Sequence, residues 1–192
     1  MSVAKPETLH SPYPEVLTIA DRPDMLLYLT GSRDDAAELQ ALIATDWDYL
    51  ARFQHLDEAD STLAAVEAAT RKTVQDMQNG TDLQYVVMAN ERIVGRVGFA
   101  GIDHKRGAGR LGYWVGEASQ GHGYAHSAAQ RLVRFAFEEM ELEKVLVRID
   151  ARNEKSEQVA RGLGAHRTPR VALEEHERRR IRYRIWEIDK DE

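Results

Sequence analysis

Several groups of residues in this chain have types and spacings that could do chemistry. Gln120-Gly121-His122-Gly123-Tyr124-Ala125 sets two glycines inside a six-residue run. Small residues there let backbone N–H groups turn toward a ligand, and a run that opens a helix adds about half a positive charge from the helix N-terminus. A pyrophosphate is the natural guest. Gly107-Ala108-Gly109-Arg110-Leu111-Gly112 spells a literal G-x-G-x-x-G, but the dinucleotide fingerprint must follow a strand and open a helix. This one follows polar Asp103-His104-Lys105-Arg106 and opens a strand. Asn153 and Ser156 lie about one helical turn apart, and both types favour the start of a helix. His122 and His126 sit four apart, yet no third ligand is evident, so no metal is expected.

These groups need elements to hold them. Met25 to Leu29 reads as a buried strand, followed by helical spacing from Asp34 to Ile43 and again from Trp47 to Phe53. Asp60 or Ser61 is placed to cap a further helix that stops at Asn79-Gly80. The period then changes: Leu83 to Met88 and Arg92 to Phe99 read as a hairpin around Ala89-Asn90-Glu91. A strand at Leu111 to Val115, a helix from His126 to Glu139 and an alternating strand at Lys144 to Ile149 form a strand–helix–strand unit. A short helix over Asn153 to Leu163 follows. Two last strands, Thr168 to Leu173 and Ile181 to Trp186, flank a charged hairpin loop. The whole reads as an α/β domain over 25–189, one mixed sheet with helices on its faces, after an N-terminal extension over 1–24.

Composition narrows the class. The 192 residues carry 26 Lys and Arg against 32 Asp and Glu, a formal net charge of −6, and 43% hydrophobic residues. Residues 1–70 hold 13 acids and 4 bases, which argues against a general nucleic-acid binder with its basic face. The chain has no cysteine, which excludes disulfides, thiolate metal sites and a cysteine nucleophile, and suits a reducing cytoplasm. The N-terminal residues lack the apolar stretch of a secretory signal, and no apolar run approaches the ~20 residues of a membrane span. Nine of the 13 glycines fall between Gly95 and Gly123.

Taken with its flanks, the run Gln120 to Ala125 resembles the acyl-CoA loop, Q/R-x-x-G-x-G/A, of the GNAT superfamily of N-acetyltransferases. The stretch Leu111-Gly112-Tyr113-Trp114-Val115-Gly116, that loop, and Asn153-Glu154-Lys155-Ser156 together resemble its RimJ/RimL branch. Members of that branch acetylate N-terminal amines of ribosomal proteins, and relatives acetylate other amines. The resemblance implies a mostly antiparallel sheet of about seven strands with one splayed parallel pair. It implies pantetheine lying along backbone at Trp114 and Val115, and a pyrophosphate held by Gln120, Gly121, His122, Gly123, Tyr124 and Ala125. It implies Asn153 at the pantetheine, Ser156 near the thiol as proton donor, and a glutamate base nearest Glu174, with Glu175 adjacent. Tyr113, Trp114, Trp47 and Tyr49 are candidates for an acceptor pocket. Acids between Asp34 and Glu67 would border that pocket and favour a cationic amine. Acetyl-CoA as co-substrate, no metal, and an amine acceptor follow from the same resemblance, with a homodimer left open.

Two rivals remain at this point. A CoA-binding sensor could keep the loop and lack the catalytic groups. A nucleotide-dependent oxidoreductase could use the same loop, with Asp150 as a ribose-binding acid, although His126 stands where a third glycine would be and no second glycine-dense unit exists.

Overall fold

The computed structural model describes residues 12–54, 58–176 and 179–190. In chain order the elements are β1 (Val16–Thr18), β2 (Met25–Leu29), α1 (Ala36–Thr45), α2 (Trp47–Gln54), α3 (Leu63–Gln78), β3 (Asp82–Ala89), β4 (Arg92–Asp103), β5 (Ala108–Val115), α4 (Tyr124–Glu138), β6 (Lys144–Asp150), α5 (Glu154–Gly162), β7 (His166–His176) and β8 (Arg179–Asp189). They build one sheet in the order β1-β2-β3-β4-β5-β6-β8-β7. Only β5 and β6 run parallel; every other neighbouring pair is antiparallel. The sheet has eight strands rather than about seven, because Val16–Thr18 pairs along β2 and buries Leu17.

Each local difference from the sequence reading has a physical reason. Helix α3 is capped by Thr62, whose Oγ1 accepts from the Ala65 N–H at 3.2 Å, two residues past Asp60 and one past Ser61, the expected caps. Helix α4 opens at Tyr124, two residues before the apolar periodicity becomes visible, because Gly123 turns the chain in a left-handed conformation (φ 76°). The β3–β4 hairpin turns on Asn90 (φ 49°) and Glu91 (φ 64°), the left-handed pair that a two-residue turn between twisted strands demands. At the other end, β7 and β8 continue through the expected loop: Glu174 pairs with Ile181 and Glu175 with Arg180. A run of charge resembles a loop in sequence, but the cross-strand alternation of acids and arginines pairs it as a ladder.

The larger core lies between α4 and one face of the sheet, where Leu27, Tyr85, Val97, Phe99, Leu111 and Val147 pack with Leu132 and Ala136. A smaller core on the opposite face joins Leu39, Ile43, Leu50 and Val66 to Val86 and Ile93. The feature that makes a site is where β5 and β6 stop pairing. Their last partners are Leu111 and Val147. Beyond that point Gly112 to Val115 stay with β4, and Arg148 to Asp150 stay with β8, so the sheet opens into a V.

Candidate functional site

A cleft of about 700 Å³ fills the V, lined by Leu111 to Val115 on one wall, Val147 to Asp150 on the other, and the 119–126 loop at its mouth. The loop is anchored from behind by Asp46, whose Oδ2 accepts from the Glu117 N–H at 2.7 Å. Gly116 has no room for a side chain there, since a Cβ would sit 2.5 Å from that same oxygen. Gly121 (φ 79°) and Gly123 (φ 76°) hold the two left-handed turns that lead into α4. Among the described residues no side chain caps α4, and its first turn carries no acid. Its opening N–H groups therefore stay available on the cleft side, with the positive end of the helix dipole behind them. That combination is an anion site shaped for phosphate. The His122 side chain turns away: Nδ1 lies 2.9 Å from the Gln120 carbonyl, and the ring stacks on Tyr124.

One edge of the V is a strand edge. The Gly116 N–H bonds across to Val94 O at 2.8 Å, which directs the backbone of residues 114 and 116 toward β4. Strand backbone alternates, so the polar groups of Tyr113 and Val115 face the other way, into the opening. On the far side, Asn153 caps α5, its Oδ1 accepting from the Ser156 N–H at 3.1 Å. Asn153 also lines the cleft, so the capping role and a ligand role coexist in one residue. Ser156 Oγ donates to the Tyr113 hydroxyl at 3.2 Å, and that hydroxyl donates to the Ser156 carbonyl at 2.9 Å. Burial pushes the Tyr113 phenol up to about 12, the hydrogen bond from Ser156 opposing that rise. Lys155 Nζ reaches Gln120 Oε1 at 2.7 Å across the mouth.

A second groove of about 400 Å³ opens on the opposite face of the sheet and meets the first at Leu111 to Trp114, Arg148 and Tyr183. Glu174 faces into it and Glu175 does not, as strand alternation requires. Glu174 is half exposed (51%) and held by the Arg148 guanidinium at 2.5 Å. Arg96 and Arg110 also line this groove, with Glu174 as the single carboxylate among its described lining residues. Tyr49 lines the first cleft, whereas Trp47 packs into the smaller core.

The rival features resolve as structure. Gly107 to Gly112 makes a turn and the body of β5, with no helix after it. Asp150 is gripped by Arg152, Nε to Oδ1 at 3.0 Å and Nη2 to Oδ2 at 2.6 Å. His126 packs on Gly162, where a Cβ would lie 3.0 Å from its ring. No group of three metal-ligating side chains occurs among the described residues. Of the arginines between 167 and 184, Arg184 bonds Glu157 at 2.5 Å, Arg170 pairs with Glu187 and Arg180 faces Glu175.

Sequence reasoning missed Arg22. Its guanidinium is paired to Asp24, donates to the His122 carbonyl at 3.1 Å and to Ser127 Oγ at 3.4 Å, and lies 5.0 Å from the Tyr124 ring centre. No local pattern marks an arginine that acts one hundred residues away.

Residues 26–166 match the acetyltransferase (GNAT) domain family. Over 98 residues the chain is 30% identical to the ribosomal-protein-serine acetyltransferase of Escherichia coli (strain K12), a match covering 49% of this chain and 55% of that relative. The chain thus spans about half the length of that relative. Among solved structures the fold is similar to that of the microcin C7 self-immunity acetyltransferase MccE in complex with acetyl-CoA and AMP, with a TM-score of 0.82 at 20% identity, over 94% of this chain and 99% of that one. It is similar also to RimL, the ribosomal L7/L12 α-N-protein acetyltransferase, in complex with coenzyme A, with a TM-score of 0.81 at 16% identity, over 91% and 98%.

Proposed function

The chain belongs to the GNAT acetyltransferase family, and on that footing we propose that it is an acetyl-CoA-dependent N-acetyltransferase acting on the α-amine of a protein N-terminus. The observation that carries the acyl-CoA half is the junction at Gly123, where an uncapped α4 presents free N–H groups to the cleft beside two left-handed glycines. The acceptor half is supported by a relative named for ribosomal-protein-serine acetylation.

In this reading acetyl-CoA supplies an activated acyl group, and the transfer is direct, from thioester to amine, with no acyl-enzyme. Gly121 to Ala125 hold the pyrophosphate, and the edge at Tyr113 to Val115 aligns the pantetheine as an added strand would. The Val115 N–H faces the place where negative charge grows on the thioester oxygen, a donor typically worth about 3–4 kcal/mol of barrier. Ser156 passes a proton to the departing thiolate and takes one back from solvent in the cleft, a modest demand because a thiol pKa is about 8.5 and its thiolate weakly basic. The amine enters from the second groove and sheds its proton to Glu174 or to water. An α-amine has a pKa of about 8, so near pH 7 roughly a tenth is already neutral and the base has little to do.

Thermal melting with and without acetyl-CoA tests the first half, and CoA-thiol release with N-terminal peptides tests the second. A clear stabilisation with thiol release is expected. Stabilisation without release on any amine is the result of a CoA-binding sensor, and stabilisation by NADH in place of acetyl-CoA is that of an oxidoreductase.

A further inference from the structure

The floor of the second groove is bare. It is open at Gly112, where a Cβ would meet nothing within 4 Å, whereas the cross-strand partner Gly98 lies close against the Leu83 carbonyl and Gln84. Around this floor, on the same sheet face, stand Arg96 on β4, Arg110 on β5 and Arg148 on β6, with Glu174 the sole carboxylate among the described lining residues. The excess of positive charge is local, since the chain as a whole carries a net −6.

The three arginines are unevenly satisfied. Arg148 is held by Glu174 and lies 4.4 Å from the Tyr183 ring centre. Arg96 donates through Nη2 to Thr70 Oγ1 at 3.3 Å, and the carboxylate of Asp35 acts on it through space. The Nε atoms of Arg96 and Arg148 are buried with no hydrogen-bond partner among the described residues, as is Gln84 Oε1. Arg110 forms no ion pair with any described residue, although it faces the same groove as Tyr183. The partly buried guanidinium groups of Arg96 and Arg148, each with an unused donor, gain from an anion what they have lost from solvent, while Arg110 stands exposed at the groove as a free charge.

Resting on the reading of this groove as the acceptor side, we infer that the preferred acceptor is an N-terminal peptide with a carboxylate side chain at its second or third residue, taken up by Arg110 with Arg96 behind it. The spacing sets the position. The amine must reach the opening beside Gly112 and Trp114, and Arg110 lies two strand residues from Gly112, roughly 7 Å at about 3.3 Å per residue. An extended peptide covers that distance in about two residues. The acceptor is then an amine attached to an acidic segment.

Three peptides of equal length decide this, each beginning with serine and carrying Glu-Glu, Gln-Gln or Lys-Lys next, assayed for α-amine acetylation at saturating acetyl-CoA. The acidic peptide should show a KM about fivefold below the neutral one, and the basic peptide a KM higher again, the differences shrinking as salt is raised. Arg110→Gln should compress the series, and Arg110→Glu should invert it, with thermal melting showing that both variants are folded. Equal kcat/KM on all three peptides, or an unchanged ranking in Arg110→Glu, overturns the inference while leaving acetyl transfer standing. Acetylation of none of the three, with acetyl-CoA still stabilising the protein, overturns the acceptor reading itself and this inference with it.

Discussion

The Tyr113 hydroxyl and Ser156 are joined twice, phenol to Ser156 carbonyl at 2.9 Å and Ser156 Oγ to phenol oxygen at 3.2 Å, so β5 and the first turn of α5 are tied together across the open V. The pair sits where a thiolate leaves if acetyl transfer runs as proposed. Ser156→Ala should lower kcat about tenfold, below the roughly 10²–10⁴-fold usual for a general acid because the thiolate needs little help. Its effect on the KM for acetyl-CoA should be small. Steady-state thiol release checks both, and an unchanged kcat removes Ser156 from the proton path.

The same pair predicts an alkaline instability. The folded pKa of Tyr113 is raised by burial to about 12, against about 10 for a free phenol. Its contribution to stability is therefore complete below about pH 10 and is lost as pH climbs through the folded value. Urea midpoints measured from neutral pH upward should fall over that window, and Tyr113→Phe should flatten the fall. Tyr85, also raised by burial, keeps a residual slope.

At Gly123 the constraint is backbone conformation rather than space. A Cβ would meet only Arg22 Nη1, at 3.7 Å, but φ is 76°. Gly123→Ala should cost about 1–2 kcal/mol of left-handed strain, read as a raised KM for acetyl-CoA together with a lower Tm. Gly123→Asn should be milder, because asparagine tolerates that region. Equal damage from both substitutions would point to crowding instead.

Arg22 holds the loop that Gly123 shapes, through the His122 carbonyl, Ser127 and the Tyr124 ring. Arg22→Ala should raise the KM for acetyl-CoA about tenfold, in line with a loss of about 1.5 kcal/mol from one charge-assisted hydrogen bond, and leave kcat nearly unchanged. Isothermal titration with CoA gives the binding part directly. A fall in kcat at constant KM would contradict a positioning role.

Asn153 separates capping from cofactor contact. Loss of its cap in Asn153→Ala should cost about 1 kcal/mol of stability. Asn153→Asp keeps the acceptor oxygen that the Ser156 N–H uses and should restore the melting temperature. If the amide also donates to pantetheine, the aspartate variant recovers stability and not the KM for acetyl-CoA.

What was legible in the sequence was local. The glycine loop, the strand before it, the helix after it and the Asn153–Ser156 pair all announce themselves through spacing along one stretch of chain, and they fall together around one cleft. What was hidden depends on pairing between distant strands. Arg96, Arg110, Arg148 and Glu174 come from four strands and share a groove only because of sheet order and alternation. Glu174 and Glu175 are equivalent as sequence, and one residue of register decides which faces inward. The tie between Tyr113 and Ser156 was hidden for the same reason, since the sheet must splay before the phenol can reach across.

The most direct measurement is mass spectrometry of a serine-initiated acidic peptide incubated with the protein and acetyl-CoA, with fragmentation to locate the modification. The account predicts a single acetyl group on the α-amine, released CoA in equal amount, and loss of both with Gly123→Glu. Acetyl-CoA bound by the protein with no acetylated amine on any peptide or small-amine acceptor would contradict it.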